Sequence, residues 1–94
     1  MPAKTTRPEI ASSVTTGSFT TNYHDVGSGE PILLLHGSGP GVSAWANWGK
    51  TFPLLGAEFR LLAPDMAGFG YTERVPGALY SLDGWLQQVI DFLI

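Results

Sequence analysis

Residues 31–48 read PILLLHGSGPGVSAWANW. An apolar run, Ile32 to Leu35, passes directly into His36-Gly37-Ser38-Gly39-Pro40-Gly41, and a polar and aromatic segment follows. The run has no polar alternation, which suits a strand covered on both faces, as in a parallel sheet. The glycine loop then falls at the carboxyl end of that strand, where open α/β sheets place their ligands. Gly37, Gly39 and Gly41 can adopt φ > 0 and let a ligand approach the backbone. Pro40 fixes one φ and removes one N–H donor.

Outward from this stretch, Ile10 to Thr16 and Ser18 to Val26 read as two strands around Gly17, with Phe19, Thr21 and Tyr23 on one face of the second. Gly27-Ser28-Gly29-Glu30 is turn chemistry. Downstream, Trp45 to Leu55 predicts a short helix that Gly49 and Pro53 weaken. Phe59 to Ala63 is a second apolar strand, ended by Pro64-Asp65, and a long loop follows. SLDGWLQQVIDFLI, residues 81–94, is the clearest helix: Ser81 can cap it and Asp83 suits the first turn. Trp85, Leu86, Val89, Ile90 and Leu93 share one helical stripe, which predicts a face packed on the core.

The strand–helix–strand unit over 31–64 predicts a right-handed crossover in a parallel sheet. A helix as apolar on one side as 81–94 normally leads into another strand, so the chain reads as the front half of an α/β domain. Residues 1–9 read as a flexible N-terminal tail, and 10–94 as the domain portion.

A chain of 94 residues is at most one small domain. A net charge of −3 with five Lys and Arg gives no electrostatic footprint for nucleic acid. The absence of cysteine excludes disulfides and thiolate metal sites. The opening MPAKTTRPEIASSV has no apolar core of a secretory signal, and no run approaches a membrane span. These features predict a cytoplasmic protein that engages neither nucleic acid nor membrane.

The glycine loop admits three readings. A phosphate site fits poorly, because the spacing is G-x-G-x-G and Val42-Ser43 stands where a Walker loop needs Lys and then Ser or Thr. A glycine turn without a ligand is always common. An oxyanion hole requires a rigid backbone N–H aimed at an oxygen that becomes negative in the transition state. His-Gly followed by small residues, directly after an apolar strand, matches the hydrolase form of that loop and favours this third reading.

HGSGPGVSAWANW, with APDMAGFGYTER at 63–74, resembles the N-terminal part of α/β-hydrolases of the meta-cleavage-product hydrolase family, most closely the 2-hydroxymuconic semialdehyde type. The resemblance covers roughly residues 10–94 and is strongest over 20–75. It implies the N-terminal half of an α/β-hydrolase fold, a mostly parallel sheet with flanking helices. It also implies hydrolysis of a carbon–carbon bond in 2-hydroxy-6-oxo-dienoates, small-molecule products of aromatic ring fission, with no metal or organic cofactor. The dienolate would ketonise, the C6 carbonyl would be attacked, and 2-hydroxypentadienoate and a carboxylic acid would leave. For the full-length protein a homo-oligomer stands open.

Carried onto this chain, the resemblance makes the Ser38 backbone N–H an oxyanion donor. It sets Asn47 near the carboxylate and oxyanion end of the substrate, while a loop-bracing Asn47 remains an equal alternative on propensity. Gly37 and Gly39 contact substrate and, with Gly41, shape the loop. Trp45 is read as a packing anchor.

Triads of this fold run Ser, then an acid, then His last in the chain. His36 therefore reads as a brace of the loop and not as a catalytic base. His24 has no partner suggested by spacing, and Asp65 reads as a structural tie. The nearest match to a G-x-S-x-G elbow, Gly41-Val42-Ser43-Ala44-Trp45, fails at its last position. The 94 residues are thus expected to hold one oxyanion donor, no triad and no activity of their own. Two rival functions share these features: an esterase, epoxide hydrolase or dehalogenase on the same scaffold, or a short non-catalytic binding protein.

Overall fold

The computed structural model describes residues 8–17, 19–75 and 80–93. Most of the expected N-terminal tail, Ser18 and Ile94 lie outside them. The elements are β1 (Ser12–Thr16), β2 (Phe19–Val26), β3 (Glu30–Leu33), α1 (Ala44–Trp48), α2 (Phe52–Leu55), β4 (Phe59–Pro64) and α3 (Leu82–Leu93). The strands form one sheet in the order β1-β2-β4-β3. β1 and β2 pair antiparallel, as do β2 and β4, whereas β3 and β4 run parallel, with Ile32 opposite Leu61. The parallel pair expected of residues 31–64 is therefore present, with the glycine loop leaving its carboxyl end.

Helices cover both faces of the sheet. On one face α1 and α2 close a core of Leu34, Ala44, Phe52, Leu61 and Ala63, with Trp45 and Trp48 packed against it. On the other, α3 lies against β2 through Phe92 and Tyr23, whose ring centroids are 5.2 Å apart. β2 is accordingly buried on both sides, through Phe19 and Thr21 on one and Asn22 and His24 on the other.

Three sequence expectations change. The helix expected over 45–55 is two short pieces. Pro53 has no N–H to give to the carbonyl four residues back, so it sits instead in the first turn of α2. Within these 94 residues the apolar run at 32–35 is only partly covered, with Leu34 buried. β3 pairs only with β4 among the described residues, and Leu35 is 44% exposed. Of the α3 stripe, Trp85 and Val89 are partly buried, while Leu86, Ile90 and Leu93 are 57%, 42% and 56% exposed within these 94 residues. Among the described residues the helix docks through Phe92 on Tyr23 and through Trp85 and Gln88, which bond backbone groups of the β4–α3 connection.

His24 packs against the rings of Trp45 and Phe52, at centroid distances of 5.9 and 5.3 Å, and its Nε2 has no hydrogen-bond partner among the described residues. Burial pushes its pKa below the ordinary value, against weaker opposing effects of the Asp65 charge and the Glu9 backbone. A depressed histidine pKa means that the unfolded chain binds the proton more tightly. Stability is then complete above about pH 6.5 and falls as pH drops below it. Asp25, held below its usual range by Arg60, titrates in a lower window. We expect the urea midpoint of the whole protein to fall between about pH 7.5 and pH 5.5 and His24→Gln to flatten that slope. An unchanged slope in the variant would assign the pH dependence elsewhere.

Candidate active site

The loop after β3 is held at three peptides near its start. Leu34 N–H extends the parallel ladder to Leu62 O (2.9 Å). Gly37 N–H donates to Asn47 Oδ1 (2.8 Å), so α1 fixes the peptide before Gly37. His36 fixes the peptide after it. Its Nε2 accepts from Met66 N–H (2.9 Å), which requires the neutral tautomer with the proton on Nδ1, and Nδ1–H donates to Gly37 O (2.6 Å). Both ring nitrogens are engaged, so His36 braces the loop and has none free to act as a base.

Gly37 O and Ser38 N–H belong to one planar trans peptide and point in opposite directions. With the imidazole holding Gly37 O, the Ser38 N–H is turned away from the ring. Ser38 itself is exposed and lines a groove of about 310 Å³ with Leu35, His36, Met66, Phe69 and Trp85. On the far side of the loop, Gly39 to Ser43 border a larger hollow of about 590 Å³ with Tyr71 and Arg74.

The glycines divide their roles. Gly39 and Gly41 have φ of +140° and +77°, which disfavours any side chain there. Gly37 does not use positive φ, contrary to expectation, and a Cβ there would make only ordinary contact with Asn47 Oδ1, 3.8 Å away. Asn47 is exposed on α1 and braces the loop through Oδ1, leaving Nδ2 unpaired among the described residues. Trp45, tilted against the rings of His24 and Phe52, is a packing anchor as expected.

Ser43 is the N-cap of α1, its Oγ accepting from Ala46 N–H (3.1 Å), and is buried. That explains why an apparent elbow serine occurs here without elbow geometry. Asp65 is fully buried. Oδ1 accepts from Ala44 N–H (2.8 Å), and Oδ2 from Asn22 Nδ2 (2.9 Å) and Tyr71 N–H (2.8 Å). The tie expected at Asp65 thus joins α1, β2 and the loop after β4. Gly70, at φ +55°, leaves space that a Cβ would take from the Asp65 carboxylate.

Sequence reasoning missed Gln88 and Asn22, both buried and both bonded around Asp65. The only signal was a polar residue among the apolar positions of an amphipathic helix or strand. Among the described residues, no three His, Cys, Asp or Glu side chains group as a metal would need, and no helix is long and apolar enough to cross a membrane.

No family model matches the chain. It is 48% identical over 85 residues to a 2-hydroxy-6-oxo-2,4-heptadienoate hydrolase of Pseudomonas putida, covering 90% of this chain and 31% of that protein. It is 45% identical over 93 residues to a 2-hydroxymuconate semialdehyde hydrolase of a Pseudomonas species, covering 99% and 33%. A solved meta-cleavage product hydrolase from Pseudomonas fluorescens superposes with a TM-score of 0.89 at 49% identity, over 93% of this chain and 32% of that one. The chain spans about a third of the length of the curated relatives it matches.

Asp65→Asn offers one acceptor oxygen where the carboxylate offers two, so at least one of the three donors would face an amide NH₂. We expect a loss of about 3 kcal/mol in unfolding free energy, the scale for buried hydrogen bonds to charged groups. Urea denaturation of the whole protein measures it, and a loss within about 0.5 kcal/mol would remove Asp65 from its central position.

Proposed function

The chain belongs to the meta-cleavage product hydrolase family of α/β-hydrolases, and from that premise we propose that the whole protein hydrolyses a carbon–carbon bond of 2-hydroxy-6-oxo-dienoates. Residues 10–94 form the N-terminal part of its α/β-hydrolase domain, and it works in the cytoplasm on small ring-fission products of aromatic compounds. The nucleophile, acid and base come from outside these 94 residues. The observation that carries the proposal is the fixed Gly37–Ser38 peptide at the mouth of the groove, in a chain about half identical to dienoate hydrolases.

In this reading the C6 carbonyl of the substrate lies against the Ser38 N–H. As the nucleophile adds to C6, the carbonyl oxygen becomes an oxyanion and the amide, already oriented, stabilises it without reorganising. The C5–C6 bond then breaks. Its electron pair passes into the dienoate, which takes up a proton and leaves as 2-hydroxypentadienoate, and water releases the C6 fragment as a carboxylic acid. Asn47 has two parts in this scheme. Oδ1 holds the Gly37 amide, and Nδ2 is free to donate to the substrate carboxylate or to the oxyanion. Gly37 and Gly39 let the substrate lie close to the backbone.

Purified whole protein, mixed with 2-hydroxymuconic semialdehyde and with its C6-methyl and C6-phenyl counterparts, is expected to bleach the coloured dienolate and yield 2-hydroxypentadienoate. Hydrolysis of an aryl ester or an epoxide with no action on any dienoate would favour the rival hydrolase reading. Asn47→Ala is expected to lower kcat/KM by about 100-fold, the scale for loss of one oxyanion-hole donor.

A further inference from the structure

Gln88 is buried within α3, and its amide uses both ends: Oε1 accepts from Ala67 N–H (2.8 Å), and Nε2 donates to Thr21 Oγ1 (3.0 Å) and Asp65 O (3.2 Å). Helix docking alone does not need this. The neighbouring Trp85 already bonds the same turn, its Nε1–H donating to Ala67 O (2.7 Å), and an apolar side chain of similar shape would pack without burying an amide. What the amide adds is a second bond on Asp65 O, from α3, that links this oxygen to the Ala67 N–H through one side chain.

Asp65 O and Met66 N–H are the two ends of one planar peptide. Holding the oxygen from α3, with Thr72 Oγ1 bonded to the same oxygen (2.5 Å), points the Met66 N–H the other way, onto His36 Nε2. That bond selects the Nδ1–H tautomer of His36, which in turn holds Gly37 O and turns the Ser38 N–H outward. The same peptide-plane constraint therefore operates twice, with one imidazole between.

We infer that Gln88 is a positioning residue: it sets the direction of the Ser38 amide through the Asp65–Met66 peptide, the His36 ring and the Gly37–Ser38 peptide. The catalytic consequence rests on the proposed oxyanion role of Ser38, whereas the structural relay does not. Thr72 Oγ1 also bonds Asp65 O, and Thr21 Oγ1 accepts from Gln88 Nε2, but neither bonds Ala67. Gln88 grips this turn on both sides of Met66.

The test uses the whole protein with two variants. Gln88→Met removes both amide functions and keeps an unbranched apolar side chain. Gln88→Glu keeps an acceptor for Ala67 N–H and puts an oxygen where the donor to Asp65 O stood, and the tautomer is read in each variant that keeps a cooperative melting transition. Nitrogen NMR of the His36 ring reads the tautomer, and steady-state kinetics with a 2-hydroxy-6-oxo-dienoate reads the amide. We expect the native protein to show the Nδ1–H form and both variants to show a mixture with Nε2–H. We also expect kcat to fall by about 10- to 100-fold with KM changed by less than about 3-fold, because the lost alignment matters most when the oxyanion forms. Retention of the Nδ1–H form in both variants overturns the relay. A mixed tautomer with unchanged kcat overturns its extension to Ser38. If the native protein cleaves no dienoate, the proposed function fails, while the tautomer result still decides the relay.

Discussion

At the end of β4 a carboxylate with no solvent exposure, Asp65, receives hydrogen bonds from three segments far apart in the chain: Ala44 at the start of α1, Asn22 in β2 and Tyr71 in the following loop. A buried charge is tolerated only when donors replace the water it lost. None of these segments can shift without leaving the carboxylate short of a donor. The position of α1, and with it the far end of the glycine loop, is therefore fixed by Asp65. The backbone at Gly70 has to pass so close to the carboxylate that no side chain fits there.

The near end of the loop is fixed by different means. Asn47 and His36 hold the two peptide groups on either side of Gly37, one from α1 and one from the strand end itself. A loop rich in glycine is intrinsically costly to order. Here the cost is met by bonds on the backbone, and the side-chain positions are left bare, which keeps the face beside Ser38 open. An electrostatic site that stabilises a developing charge depends on that kind of prior order, since dipoles that must reorient during the reaction contribute less.

The helices on the two faces contribute unequally. α1 and α2 build an apolar core, with Phe52, Leu61 and Ala63 almost wholly buried. α3 gives its polar and aromatic side to the sheet and turns Leu82, Leu86, Ile90 and Leu93 outward. Its attachment depends on hydrogen bonds to Asp65, Ala67 and Thr21 together with the Phe92–Tyr23 ring contact. Bonds of that kind fix direction more sharply than hydrophobic contact, which is non-directional.

Much of the fold was legible in the sequence because it rests on local rules. The unalternating run at 32–35 implied a parallel strand, the Ser81 cap and Asp83 set the start of α3, and Pro53 with Gly49 forecast a weak helix at 45–55. The order of residues also excluded His36 as a triad base. What the sequence could not show were bonds between residues distant along it: Met66 to His36 across 30 positions, and Gln88 to Thr21 across 67. Periodicity names the apolar side of a helix, but it does not say whether polar backbone nearby must be satisfied first. The sequence by itself determined the elements and the loop chemistry. Only the tertiary structure decided which face of α3 docks, which atoms of Asn47 and His36 are engaged and where the Ser38 amide is turned, because a hydrogen bond depends on the direction of its groups in space and not on their order in the chain.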